Sequence, residues 1–312
     1  MTRILIAGEL NADMVMSGLP SLPIFGRELL GEDFQIVMGS SSAITAARLA
    51  QLGAEVDFVG IVGADSLGDF VMEELGNFGV GVANISKAPE RTGVTIALTY
   101  PQDRALLTFP GTIETYTGDN ITSELLANYS HLHVGSFFLQ TALQPNLAQI
   151  FQQAHALGLT TSLDVGWDPN EKWSENPYLY SILEHVDFFI PNQDEANAII
   201  GANQQAQSLA KRVHGILIIK QGKDGATAFD HSGEIATVSS LPVEIVDTTG
   251  AGDAFNAGFI FAHKVDKLPI ETAMQFASAC GAQAVTHIGG ASNAPHADLI
   301  RDMIAKSKQT GA

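Results

Sequence analysis

The sequence predicts an α/β protein built on a mostly parallel sheet, and three observations carry that reading. From residue 131 onward apolar strand runs alternate with segments of helical period. Strand, helix, strand in this order implies parallel pairing through right-handed crossovers. Two stretches near the N-terminus, punctuated by Gly and Pro, read instead as hairpins. The 312 residues, 46% of them apolar, can fill a core, and no repeat, low-complexity tract or long linker divides them, so residues 1–312 are read as a single domain.

The first strand, Arg3 to Ala7, opens into Gly8-Glu9-Leu10-Asn11-Ala12-Asp13. Open α/β sheets bind ligands where strands end, so Asn11 and Asp13 read either as an Asx turn or as partners of a substrate's hydroxyls. Residues 14–37 contain Gly18, Pro20, Pro23, Gly26 and Gly31, the pattern of an irregular hairpin. Gly39-Ser40-Ser41-Ser42 opens a helix from Ala43 to Leu52 that Gly53 ends as a C-cap. Val56 to Val62 is a strand, and Gly63 to Gly68 turns into a helix reaching Leu75. Val94 to Tyr100, a turn at Pro101-Gln102-Asp103, and Arg104 to Phe109 form the second hairpin, on which Arg104 either keeps an exposed edge soluble or faces a substrate.

Strand His131 to Gly135 is followed by a helix with Leu143, Leu147, Ile150, Phe151, Ala154 and Leu157 on one face, then by strand Thr160 to Val165. His131 and His133 alternate with apolar residues and read as packing or surface groups. The loops after these strands hold Ser136, Phe137 and Phe138, and Asp164 and Asp168, which either organise Mg2+-bound water or cap turns. Strand Val186 to Ile190 precedes Pro191-Asn192-Gln193-Asp194-Glu195 at a helix start. Strand Ile216 to Ile219 runs into Lys220-Gln221-Gly222-Lys223-Asp224-Gly225, a Gly-x-x-Gly turn common in hairpins. A helix from Thr272 to Val285 and the turn His287 to Ser292 close the chain.

Asp247-Thr248-Thr249-Gly250-Ala251-Gly252-Asp253-Ala254-Phe255 is the stretch richest in chemistry. It lies between the apolar run Pro242 to Val246 and a helical face of Ala251, Ala254, Phe255, Phe259 and Ala262, so it reads as strand end, glycine turn, helix start. Glycines there let a ligand approach backbone N–H groups that have no intrahelical partner, and the helix dipole favours an anion. No Gly-Lys-Ser/Thr follows, so this is not a Walker A loop. Asp253 in the first turn either interacts with the dipole or acts as a general base beside a phosphate cradle.

Composition bounds the partners. A net charge of −18, from 16 basic and 34 acidic residues, argues against nucleic acid or an anionic membrane as partner. A phosphorylated ligand stays compatible, because N–H groups, a few cations and Mg2+ act locally. The single Cys280 forms no intrachain disulfide, and with neither a membrane-spanning run nor a leader pattern at Met1-Thr2-Arg3 a cytoplasmic location is expected.

The nine residues from Asp247 to Phe255 closely resemble the C-terminal signature of the ribokinase-like (PfkB) carbohydrate kinases, and further motifs follow in that family's order along essentially the full length. The resemblance implies a ribokinase-like three-layer α/β/α sandwich with a mostly parallel central sheet and a small β lid formed by about 12–37 and 92–111. It implies ATP-dependent phosphorylation of a small sugar or sugar acid, with Asp253 as catalytic base and Gly250, Ala251 and Gly252 as the anion hole. Asn11 and Asp13 become the sugar-binding pair, joined at the substrate by Gly39, Ser40, Arg104 and Phe137. Asn192 and Glu195 would hold Mg2+ and phosphate through water, Lys220 would lie near phosphate, Gly222 and Gly225 would admit the nucleotide, and Ser278 would flank adenine. Asp247, Thr249, Gly289 and Ser292 would form a monovalent-cation site for K+.

Ser40 and Ile44 depart from the family's first signature, where Gly and Asn are usual, and this bears on the sugar: fructose, ribose and 2-keto-3-deoxygluconate all stay open. Two other readings accompany this one. A nucleoside kinase of the same fold would stack a base on Phe137 or Phe138, and a catalytically silent ligand sensor would keep only the fold. The exposed edge of the lid predicts a homodimer.

Overall fold

A computed structural model describes residues 2–100, 104–201, 205–287, 289–291 and 295–310. Its strands are β1 Arg3–Ala7, β2 Asn11–Ser17, β3 Asp33–Met38, β4 Glu55–Gly63, β5 Gly81–Ala88, β6 Gly93–Thr99, β7 Arg104–Phe109, β8 His131–Val134, β9 Thr160–Leu163, β10 Phe188–Phe189, β11 Ile216–Lys220, β12 Ala226–Asp230 and β13 Gly233–Val238. The main sheet runs β13-β12-β11-β10-β9-β8-β1-β4-β5, and every pair from β11 to β5 is parallel.

Alternation along the strands divides the core. Ile4, Ile6, Phe188 and Ile218 point into one apolar layer, with Leu49, Phe259 and Met274 from the helices Ser41–Leu52, Ala251–Ile260 and Ile270–Ala284. Leu5, Ala7, Phe189 and Leu217 point into the other, with Phe151, Ile182 and Ile199 from Gln144–Ala156, Leu179–Leu183 and Gln193–Ile200. A sheet buried on both faces needs continuous apolar strands, which is why Ile4-Leu5-Ile6-Ala7 has no polar member. The result is a three-layer sandwich. The sheet order reverses at β1, between β8 and β4, and the crevice beyond the strand ends there is where such sheets hold ligands.

A second sheet, β3-β2-β6-β7, forms the lid. Its register separates two faces. Asp13, Thr95 and Thr108 share one, and Phe34, Ile36, Ile96, Leu107 and Phe109 share the other.

Three local expectations are corrected. Pro242 to Val246 is not a strand: Pro242 brings no N–H to a ladder, Ile245 and Val246 are 60% and 57% exposed, and the segment is fastened by Val246 N and Asp247 N on the Val285 carbonyl. The strand expected over Val186 to Ile190 pairs only at Phe188–Phe189. Strands β5 and β13 escaped the sequence reading because they lie at the sheet edges, where exposed positions dilute the apolar run; β12, paired on both sides, escaped it as well, its short Ala226-Thr227-Ala228-Phe229-Asp230 run giving only a weak apolar signal. The turn at 101–103 lies outside the described residues. Among the described residues no helix is long and apolar enough to cross a membrane.

Candidate active site

The helix Ala251–Ile260 starts at Gly250, whose φ of +74° is left-handed. A Cβ there would stand 2.6 Å from Gly290 Cα, so glycine is required on two grounds. No side chain caps the first turn; Ala251 N donates to the Thr248 carbonyl at 3.3 Å, and the turn beyond it faces the space past the helix end. Ala254 and Phe259 are buried in the core, and Asp253 lines a cavity of about 730 Å3 together with Phe255.

A charged cluster forms the cavity's inner wall. Lys220, at the end of β11, places Nζ 2.6 Å from Asp164 Oδ2, just past β9, and Asn256 Nδ2 donates to the same oxygen at 2.5 Å. A Cβ on Gly252 would lie 3.3 Å from Lys220 Nζ, so the ammonium stands beside the helix N-terminus. Burial works against the charge of Lys220, but the carboxylates of Asp164 and Glu195 hold it protonated above its usual range. Burial likewise opposes ionisation of Asp164, and Lys220 overrides it. Asn192 and Glu195 make a reciprocal capping box at the start of Gln193–Ile200, Asn192 Oδ1 accepting from Glu195 N at 2.9 Å and Glu195 Oε2 from Asn192 N at 2.8 Å. Burial, aided by Asp164, pushes the Glu195 carboxyl up to about 7.

Asp253 Oδ1 accepts a hydrogen bond from Ser41 Oγ at 2.5 Å. Burial pushes its carboxyl up to about 7; the Ser41 bond and Lys220 pull it down, and the negative charges of Asp164 and Glu9 push it up. A carboxyl near neutrality at the mouth of an anion hole has the poise of a general base.

Asn11 Nδ2 donates to Asp13 Oδ1 at 2.7 Å, and a Cβ on Gly39 would meet Asp13 Oδ1 at 2.1 Å, so the glycine lies flush against the pair. Burial pushes Asp13 up to about 6, against the pull of Asn11 and of the Arg104 charge. Arg104 reaches across from the lid to donate to Thr249 Oγ1. Thr249 N and Oγ1 both donate to Asp247 Oδ1, at 2.9 and 2.7 Å, and Gly289 N to Asp247 Oδ2 at 3.0 Å. The Asp247 carboxylate thus ties Thr249 and Gly289 together just ahead of the helix start. Ser292 lies outside the described residues. Gly222, Gly225 and Ser278 line the cavity across from Asp253, and Ser278 Oγ donates to the Ser239 carbonyl at 3.2 Å.

Several expected residues are placed elsewhere. Phe137 is fully buried, edge-to-face against Phe138 with centroids 5.1 Å apart, so it offers no face to a ligand; an aromatic ring after a strand was drawn into the core. Ser40 takes a positive φ of 71° but turns its hydroxyl inward onto the Glu9 carbonyl at 2.6 Å, which removes it as a substrate contact. Asp168 accepts from the N–H groups of Asn170, Lys172 and Trp173 and so caps its own loop. His131 and His133 are buried and hydrogen-bonded to Ser162. Ile44 packs beneath Gly290, where a Cβ would meet its Cδ1 at 2.6 Å. Glu9, Ser41 and Asn256 were not singled out by sequence, and only tertiary contacts reveal them.

Residues 1–297 match the model of the family described as pfkB family carbohydrate kinase. A ribokinase from Bacillus subtilis is 26% identical over 309 residues, covering 98% of this chain and 100% of that protein. A 5-dehydro-2-deoxygluconokinase from Clostridium perfringens is 26% identical over 296 residues, covering 89% and 86% of the two chains. The structure of an Arabidopsis thaliana ribokinase complexed with ribose and ATP superposes with a TM-score of 0.83 at 24% identity, covering 97% of this chain and 99% of that one.

Proposed function

Because this chain belongs to the pfkB family of carbohydrate kinases, we propose that it transfers the γ-phosphoryl of ATP to a hydroxyl of a small sugar or sugar acid, with Asp253 as the base. The observation that carries the proposal is the meeting of a half-buried carboxyl poised near 7, a helix start without a side-chain cap and the Lys220 ammonium at one cavity mouth. Asp253 accepts the proton of the attacking hydroxyl. The Gly252 N–H and the Lys220 ammonium beside it take up charge on the moving phosphoryl, while the Ala251 N–H donates to the Thr248 carbonyl. Among the described residues no group of three or more His, Cys, Asp or Glu could hold a metal ion, so Mg2+ would arrive with the nucleotide and meet Glu195 and Asn192 through water, neutralising phosphate charge. Leu241, Val243, Phe255 and Val285 give the cavity apolar walls that suit a purine, close to Ser278.

On the acceptor side, Asn11 and Asp13 are assigned to sugar hydroxyls, with Gly39 leaving room and the lid excluding water. Arg104 joins the lid to the Asp247 loop and is assigned to the closed state. No step is routed through K+. The nucleoside alternative loses its stacking partners, since Phe137 and Phe138 are both core residues. The silent-sensor reading has to leave the Asp253 constellation unused.

An ADP-release assay across pentoses, hexoses, sugar acids and nucleosides tests the proposal. Turnover is expected with at least one sugar or sugar acid. Turnover with nucleosides alone would shift the assignment to that class, and none with any acceptor would support the sensor.

A further inference from the structure

We propose that Ser41 is a positioning residue for Asp253, an inference that rests on the kinase reading above. Its hydroxyl donates to Asp253 Oδ1 at 2.5 Å, and both side chains line the same cavity. Among the described residues no hydrogen bond reaches Asp253 Oδ2. Ser41 therefore occupies one oxygen of the base and leaves the other for the acceptor hydroxyl.

The turn that presents Ser41 is built for the purpose. Ser40 stands before it at a φ of +71°, a conformation that is strained for a non-glycine residue. That strain is held by the buried Glu9. Ser40 Oγ donates to the Glu9 carbonyl at 2.6 Å and lies 3.1 Å from Oε1. On the far side, Ser42 Oγ donates to Glu9 Oε2 at 2.5 Å and Ser42 N to Oε1 at 3.1 Å. A buried carboxylate is costly unless donors converge on it, and most of the donors to Glu9 come from the residues flanking Ser41. Nor is there room to shift, since a Cβ on Gly135 would come within 2.9 Å of Ser42 Oγ and 3.2 Å of Ser41 Oγ.

The bond matters because Asp253 faces mostly negative neighbours. Asp164, Glu9 and Glu195 disfavour its ionisation; Lys220 and Arg48 favour it, and Ser41 adds a direct hydrogen bond. Without that hydroxyl the carboxylate is harder to form, and less base is present at neutral pH.

Carboxyl 13C NMR titration of the full chain tests this, read beside the pH profile of kcat/KM for wild type, Ser41→Ala and Ser41→Thr, with Asp253→Asn assigning the resonance. Ser41→Ala is expected to raise the Asp253 midpoint and the acid limb of kcat/KM together by about one pH unit, roughly a tenfold loss at acidic pH that vanishes at alkaline pH. Ser41→Thr is expected to restore both. An unmoved midpoint in a folded Ser41→Ala, or an equal shift in Ser41→Thr, would overturn the proposal. A wild type that turns over no sugar would instead count against the kinase reading, and the NMR midpoints would still decide the role of Ser41.

Discussion

Asp253 carries two consequences of opposite practical sign. As a base it must be ionised, so kcat/KM is expected to climb about tenfold per pH unit below its value of about 7 and level off above it. For stability the direction reverses. Its folded-state value lies above the ordinary 3.8, so its contribution is fully present below about 4 and is lost as pH rises through about 7. Asp13, at about 6, and Glu195, at about 7, act in the same direction. Asp253→Asn is therefore expected to stabilise the protein near pH 8 by on the order of 3 kcal/mol and to do little near pH 4, measured by urea unfolding at both values. A variant no more stable than wild type at alkaline pH would mean that the carboxyl is not desolvated.

At this scale the sequence shows what is contiguous and hides what is not. Gly250, Gly252 and Asp253 sit in one short run whose residue types state their own chemistry, and the structure sets Lys220, from a separate turn, beside them. The partner of Asp253, Ser41, is 212 positions away and resembles any helix-capping serine. Phe137 was misread for a related reason: its place after a strand suggested a binding loop, while burial of an aromatic ring favoured the core.

Among elements, the turn into Ala251–Ile260 tolerates the least change. Gly250→Ala combines a positive φ with a backbone atom of Gly290 at 2.6 Å, neither of which a side-chain rotation relieves. A loss of about 1 to 3 kcal/mol is expected on thermal unfolding, with a large loss of ATP affinity as the N–H groups move. Strand β7 gives a milder test. Arg104→Ala cuts the tie between lid and Thr249, and KM for the sugar is expected to rise several-fold with a smaller change in KM for ATP. An unchanged sugar KM would show that closure does not depend on that tie. Element types were legible wherever apolar period was strong, as in Arg3–Ala7 and Gln144–Ala156. Pro242 to Val246 failed because apolar content alone was read as a strand, although Pro242 has no donor and among the described residues no strand pairs with the segment.

For the molecule as a whole, the lid is the least finished surface. Phe34, Leu107 and Phe109 lie on one face at 52%, 59% and 53% exposure, beside Ile36 and Ile96. The opposite face carries Asp13 and Thr95. We propose that this sheet faces the site with the side carrying Asp13 and Thr95 and that a second copy of the chain buries the apolar side; the sequence alone rests a dimer on the sheet's exposed edge instead. Leu107→Glu is expected to turn a dimer into a monomer in light scattering behind size exclusion, and a wild type already monomeric at high concentration would rule the interface out. The charge of −18 does not oppose this pairing, because the face itself is apolar.

All of these proposals lean on Asp253 meeting an acceptor hydroxyl and a terminal phosphoryl in one pocket. The most direct measurement is single-turnover phosphoryl transfer with the best sugar, comparing wild type and Asp253→Asn at saturating ATP. The account predicts a fall of about a thousandfold in the chemical step, with ATP affinity changed by less than about threefold. Transfer at the wild-type rate in the variant would contradict it.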